Sequence, residues 1–222
     1  MTKTRFPLDL LRLDRRTFLA GGAAGLAAGS LLLGAAPAFA APQVGQPAPD
    51  FSVVDSNGKV QSLSALKGKL VVLEWTNHDC PYVRKHYGAQ NMQKLQNEAK
   101  AAGAVWLTVI SSAPGEQGHV DGAKANSLSQ ERKATPTAVL LDADGKMGRA
   151  YGAQTTPHMY IIGADGKLLY MGGIDSIAST RVEDIEKAKP YFRDALQAAL
   201  KGEQVATAVT RPYGCSVKYV GS

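Results

Sequence analysis

Apolar positions along this chain fall into two patterns: short runs with no polar face, and longer stretches where apolar and polar residues mix at helical spacing. Segment 51–55 alternates and meets Ser56-Asn57-Gly58-Lys59, a hairpin turn signal, after which 60–63 continues as a short strand. Residues 64–68 read as a brief helical turn. The run 69–75 reads as a continuous apolar strand buried on both faces. A loop at 76–79 leads to a helix over 82–102, ended by Gly103. A second buried strand is expected at 104–110, a loop at 114–118 and a helix at 119–130. A third strand at 138–141 is closed by Asp142-Ala143-Asp144-Gly145. A short helix at 147–151, strands at 158–162 and 168–171, a final helix at 182–201 and a tail at 203–222 complete the order. This succession predicts an α/β fold with a mixed sheet covered on both faces. Ligand chemistry in such sheets sits beyond the carboxyl ends of the strands, and the loop after Trp75 is such a place.

One apolar stretch stands apart. Residues 18–39 are rich in Ala, Gly and Leu, follow a basic start (Lys3, Arg5, Arg12, Arg15, Arg16), and end in the small-x-small sequence Ala38-Phe39-Ala40. Asp14-Arg15-Arg16-Thr17-Phe18-Leu19 is close to the twin-arginine pattern, an export address. The length suits a membrane span as well. The Ala and Gly content, Pro37 and the cleavage site favour a leader, residues 1–40, that is removed, with no stable membrane insertion afterwards. The expected mature domain is 41–222, long enough for one sizeable core. Its product is exported or periplasmic.

The 222-residue chain carries 25 Lys/Arg against 19 Asp/Glu, a formal +6. Five of the basic and two of the acidic residues lie in 1–40, which leaves 20 against 17 and a net +3 beyond it. That surplus is too mild to argue for nucleic acid as a partner. Both cysteines, Cys80 and Cys215, fall in the mature part. In an oxidising compartment they are compatible with a structural disulfide, a redox pair, or one reactive thiol and a bystander.

Cys80 follows a buried strand and opens a helix, with Pro81 at the first helical position, where a missing N–H costs nothing. The free N–H groups and dipole of a helix start favour thiolate over thiol. His78, Arg84, Lys85 and His86 are close enough in sequence to add positive charge, and Asp79 opposes them. An inert buried cysteine is the plainer reading, and the strand-Cys-Pro-helix context argues against it.

The segments Gly45-Gln46-Pro47-Ala48-Pro49-Asp50-Phe51, Asn77-His78-Asp79-Cys80-Pro81-Tyr82-Val83, Thr156-Pro157-His158 and Arg211-Pro212-Tyr213-Gly214-Cys215 resemble the thioredoxin-fold superfamily. They are most similar to its peroxiredoxin-like redoxin branch, the alkyl hydroperoxide reductase/thiol-specific antioxidant type. The resemblance implies a thioredoxin-like three-layer sandwich around a central mixed sheet. It also implies a thiol-dependent oxidoreductase whose partner is a thiol or disulfide protein or a small peroxide, with no bound cofactor. A cis peptide before Pro157 is implied, with Thr156 and Pro157 against the Cys80 thiol and the Thr156 backbone free to pair with an incoming chain. Two features depart from relatives. Val83 stands where thioredoxins carry a second cysteine, and Asn77 and Leu73 stand where peroxiredoxins carry Thr or Ser and Pro. Asn77 is a candidate hydrogen-bond donor to a bound oxygen.

Cys215 is the candidate resolving thiol, in a tail expected to be mobile unless tied down. A permanent Cys80–Cys215 staple and an intermolecular partner for Cys215 stay open. A further alternative is a metal-binding or redox-sensing module, since thiolate with His78, His86 and His158 is a transition-metal ligand set, although no metal is implied. His158 is placed either to orient the thiol or simply to pack. His86 and His119 read as solvated helix positions, and Trp75 and Trp106 as core.

Overall fold

A strand that hides both faces needs apolar side chains at nearly every position, and three segments come close to that demand, with Glu74, Thr108 and His158 as the exceptions. β3 (Val71–Trp75), β4 (Val105–Ile110) and β7 (His158–Ile162) are buried along their whole length. In the computed structural model, which describes residues 42–222, they form the middle of a five-stranded sheet. The expected leader, its cleavage site and the start of the domain lie outside the described residues.

β5 (Ala138–Leu141) and β8 (Leu168–Gly172) complete the order β5-β4-β3-β7-β8. β3 pairs in parallel with β4 and β4 with β5, while β7 runs antiparallel to both β3 and β8. A small hairpin, β1 (Ser52–Val54) with β2 (Val60–Ser62), precedes them. The sheet is thus mixed and the fold α/β and thioredoxin-like.

Alternation along β3 and β4 divides the core. Val72 and Trp106 point to one face, with α1 (Pro81–Gly88), α2 (Asn91–Ala101) and α5 (Tyr191–Leu200) packed over them. α3 (Gly122–Glu131) covers Ile110 and Val139. Val71, Leu73, Trp75 and Leu107 face the other way, against α4 (Lys146–Ala150), Phe51 and Val217 of the tail. Burying a side chain such as Phe192, which has no exposure, contributes about 1.5–3 kcal/mol.

Three expected helices differ in extent. The helix expected over 82–102 is two, broken where Gln90 adopts φ 57°. The helix expected over 182–201 begins only at Tyr191, after a single 3-10 turn at Val182–Asp184. Pro190 forces this, because within a helix it would remove a hydrogen bond and clash with the preceding turn. α3 starts at Gly122 because the Asp121 side chain accepts from Lys124 N at 2.7 Å, so His119 lies outside it. The tail is not loose. Its β9 (Cys215–Ser216) pairs antiparallel with β6 (Thr155–Thr156). Among the described residues no helix is long and apolar enough to cross a membrane.

Candidate functional site

β3 ends at Trp75, and the chain turns through Thr76 to Asp79 before α1 begins. Cys80 N donates to Asn77 O at 3.1 Å, closing that turn, and Arg84 N donates to Cys80 O at 2.9 Å, opening the helix. Cys80 is therefore the N-cap of α1, extended at φ −70° and ψ 122°, with Pro81 behind it. Its side chain is fully buried.

The peptide between Thr156 and Pro157 is cis. Cys80 Sγ lies 3.1 Å from the Thr156 carbonyl oxygen, to which the thiol donates. Thr156 is opposite Cys215 in the β6–β9 ladder, and Thr155 is opposite Ser216. The Thr156 backbone is thus taken by the chain's own tail, not left free for an incoming chain as expected. Gly214 makes this approach possible. Its φ is 140°, and a Cβ there would overlap the Thr156 carbonyl oxygen.

This pairing brings the two thiols together. Both are free, with Cys80 buried and Cys215 half-buried. Burial alone would raise the Cys80 pKa. Hydrogen bonds from the Cys215 thiol, the Val83 and Cys215 N–H groups and Thr156 overcome it, so the pKa is lowered from the ordinary thiol value. Burial and the bond to Cys80 push the Cys215 thiol up to about 12. The Thr156 carbonyl works the other way, since it accepts only from the protonated Cys80 thiol. The pair shares one proton more readily than it releases both.

The charges near Cys80 in sequence do not produce this effect. Arg84 bonds Asp79 at 3.0 Å and His78 O at 3.2 Å. Lys85 lies within the protein, 3.5 Å from Asp175. His86 is fully buried, not on a solvated face. Burial lowers its pKa to about 4, against Asp175 and with the help of Lys85, so it is neutral near pH 7.

Asn77 is placed otherwise than expected. Its Nδ2 donates to Gln117 O at 3.2 Å and its Oδ1 accepts from Asp79 N at 2.9 Å. The amide is occupied in holding the loop rather than offered to a bound oxygen. His158 packs its ring on Tyr160, centroids 4.5 Å apart, and its Nδ1 meets Gln154 N and Tyr160 OH. Burial lowers its pKa to about 3, and it has no contact with Cys80 that would orient the thiol. Among the described residues no group of three or more His, Cys, Asp and Glu is placed to hold a metal ion. Trp75 and Trp106 lie in the core, as expected.

Sequence reasoning passed over Glu74. It sits in the middle of β3 with no exposure and accepts from Tyr87 OH at 2.7 Å, Trp106 Nε1 at 2.9 Å, Thr108 Oγ1 at 3.1 Å and Gln96 Nε2 at 3.3 Å. Burial raises its pKa in spite of these donors. A carboxylate inside a strand buried on both faces was the available signal. Tyr213, Lys85 and Asp175 carried no comparable signal.

A profile described as "AhpC/TSA family" matches residues 44–171. The chain belongs to the AhpC/TSA family. The AhpC/TSA assignment agrees with the thioredoxin-like sheet and covers Cys80 and the cis-proline, while Cys215 lies beyond it. Solved structures show the same fold. An uncharacterized conserved protein of Geobacillus kaustophilus superimposes with a TM-score of 0.68 at 24% identity, covering 81% of this chain and 94% of its own. A hypothetical protein of Sinorhizobium meliloti gives 0.67 at 21% identity, covering 82% and 98%. A Chlorobium tepidum protein named as a candidate thiol:disulfide interchange protein DsbE gives 0.53 at 24% identity, covering 72% and 99%. No curated protein matches the chain. Membership of the AhpC/TSA family places the chain among redoxins.

Proposed function

We propose that this AhpC/TSA member is an exported thiol-dependent oxidoreductase in which Cys80 is the nucleophile and Cys215 the resolving thiol. The observation that carries the reading is the β6–β9 pairing, which sets Cys215 opposite Thr156, whose carbonyl accepts from the Cys80 thiol, and so brings the second cysteine beside the first. The proposed mature domain is 41–222, preceded by the twin-arginine leader at 1–40.

The step runs as follows with a disulfide substrate. The Cys80 thiolate attacks one sulfur, the substrate S–S bond breaks, and one thiolate leaves. Cys215 gives up its proton to that leaving thiolate and attacks the Cys80 sulfur. The Cys80–Cys215 bond forms and the second substrate thiolate departs, so the substrate is reduced and the pair oxidised. With a peroxide, Cys80 takes one oxygen as sulfenic acid, alkoxide or hydroxide leaves, and Cys215 displaces water. An external dithiol then restores both thiols. Thr156 and Pro157 form the backbone that faces this chemistry.

Two observations favour a disulfide over a peroxide. The Asn77 amide is tied to Gln117 and Asp79, and the edge at Thr155–Thr156 receives an extended segment bearing a cysteine. The test is oxidation of the reduced mature protein by peroxide and by oxidised glutathione, with Cys80→Ser and Cys215→Ser beside it. Loss of two thiols per chain in wild type, and of none by internal pairing in either variant, supports the pair. Two thiols that stay free in both oxidants overturn it. A bond that forms but resists dithiothreitol replaces catalysis with a staple.

A further inference from the structure

Beyond the two thiols, the described residues hold a buried polar cluster that receives a side chain of the tail. Lys85 and His86, on α1, have no side-chain exposure, and Asp175, just after β8, is 5% exposed. Into this cluster runs the Tyr213 hydroxyl. It donates to Asp175 Oδ1 at 2.5 Å, stands 3.4 Å from Lys85 Nζ and 3.3 Å from His86 Nε2. His86 Nδ1 meets Asn91 Nδ2 at 2.9 Å and accepts from that amide, which assigns the ring proton to Nε2, facing Tyr213. Lys85 also reaches Ile177 O at 3.4 Å. The Tyr213 ring packs edge-on against Tyr82, 5.7 Å between centroids.

Tyr213 lies two residues before Cys215. The chain on either side is pinned independently. Upstream, Thr210 Oγ1 meets Tyr170 OH at 2.7 Å and accepts from Gly173 N at 3.0 Å. Downstream, Val217 N donates to Gln154 O at 3.0 Å and Tyr219 OH to Ala153 O at 2.7 Å. Residues 211–216 therefore form a short strap between two anchors, and the strap lies over Cys80. Apart from the β6–β9 pairing, Tyr213 is what holds it down. Release takes the Tyr213 donor from Asp175 Oδ1 and leaves that buried oxygen with Ile177 N alone, at 3.0 Å, which opposes release.

We propose that Tyr213 is a positioning residue: its hydroxyl, seated in the buried Lys85–His86–Asp175 cluster, latches the 211–216 strap over Cys80 and so sets how well that thiol is shielded and how readily Cys215 pairs with it. The inference rests on the reading of Cys80 and Cys215 as a redox pair, but its first consequence, shielding, does not. A partner disulfide reaches Cys80 only in the unlatched state, and a latched strap returns Cys215 to the attacked sulfur.

The test compares Tyr213→Phe with wild type in two measurements. The variant keeps the ring against Tyr82 and removes only the hydroxyl. First, iodoacetamide labelling of Cys80 is timed in reduced protein carrying Cys215→Ser. Loss of a hydrogen bond to a charged group shifts the latch about tenfold or more, so labelling speeds up about tenfold or more. Second, the Cys80–Cys215 disulfide is equilibrated with glutathione, and the pairing constant falls by a similar factor. Tyr151→Phe is the control, since it removes a hydroxyl bond to Pro49 O at 2.6 Å on the other side of the sheet. It lowers the melting temperature and leaves labelling unchanged. Lys85→Met/Asp175→Leu removes both charges and the acceptor of the Tyr213 hydroxyl together and gives the same speeding as Tyr213→Phe, should the latter fail to fold.

Equal labelling of Cys80 with and without the Tyr213 hydroxyl in folded protein overturns the latch. A wild type that never forms the Cys80–Cys215 bond overturns the redox pair and leaves the labelling result to judge the latch alone.

Discussion

Replacing Gly214 by Ala tests the docked tail at its tightest point. Gly214 has φ 140°, and a Cβ added there would overlap the Thr156 carbonyl oxygen. A residue forced into a glycine-only region costs about 1–3 kcal/mol before the overlap is counted. The strap escapes by lifting off Thr156, which breaks the Thr156–Cys215 and Thr155–Ser216 pairing. The anchors at Thr210 and Val217 stay in place, so the fold survives and the loss falls on the pairing of the thiols. About 1–3 kcal/mol corresponds to a roughly 5- to 150-fold fall in the Cys80–Cys215 pairing constant against glutathione. The assay is the fraction of disulfide in Gly214→Ala and wild type over a series of glutathione ratios, read by mass after thiol trapping. Melting temperature is measured on the reduced forms. A variant whose pairing constant matches wild type within twofold refutes the docking geometry, whatever its stability.

Other consequences follow from the charges the fold buries. Thiolate absorbance near 240 nm gives a midpoint below the ordinary thiol value for Cys80, and Cys215→Ala raises that midpoint because the side-chain donor is lost. His86 and His158, held down to about 4 and about 3 by burial, keep neutral rings from pH 8 to pH 5 in NMR titrations. In the unfolded chain both bind protons near 6.5, so their contribution is full above that pH and is lost as pH falls towards 4 and 3, seen as falling stability to urea. Glu74 has the opposite sign. Its raised pKa makes the folded state hold a proton more tightly, so its contribution is full below 4.5 and is lost as pH rises through the raised value. Glu74→Gln flattens the stability curve on that alkaline side.

Much of the sheet was legible because strands buried on both faces carry their signature in nearly every residue, as 71–75 and 105–110 do but for Glu74 and Thr108. The start of α1 was legible for a local reason, the Cys80-Pro81 pair after an apolar strand. Gln90 hides the break between α1 and α2, since a glutamine at φ 57° leaves no mark in sequence. Pro190 did mark the start of α5, and the helical pattern upstream of it masked that mark. The tail was the largest gap. Its pairing joins residues about sixty positions apart, and nothing local in Tyr213-Gly214-Cys215 announces a partner at Thr156. For the same reason the sequence placed His86 in solvent and left the Thr156 backbone free. Burial of Lys85, His86 and Asp175 depends on the strap that covers them, and only the tertiary arrangement shows it.

The most direct test of the central claim is the peptide map of reduced wild-type protein after brief exposure to oxidised glutathione, without denaturation. The account predicts one internal disulfide linking the Cys80 and Cys215 peptides, reversible by dithiothreitol and absent from Cys80→Ser. Glutathione found singly on Cys80, with Cys215 still a free thiol after long incubation, contradicts it.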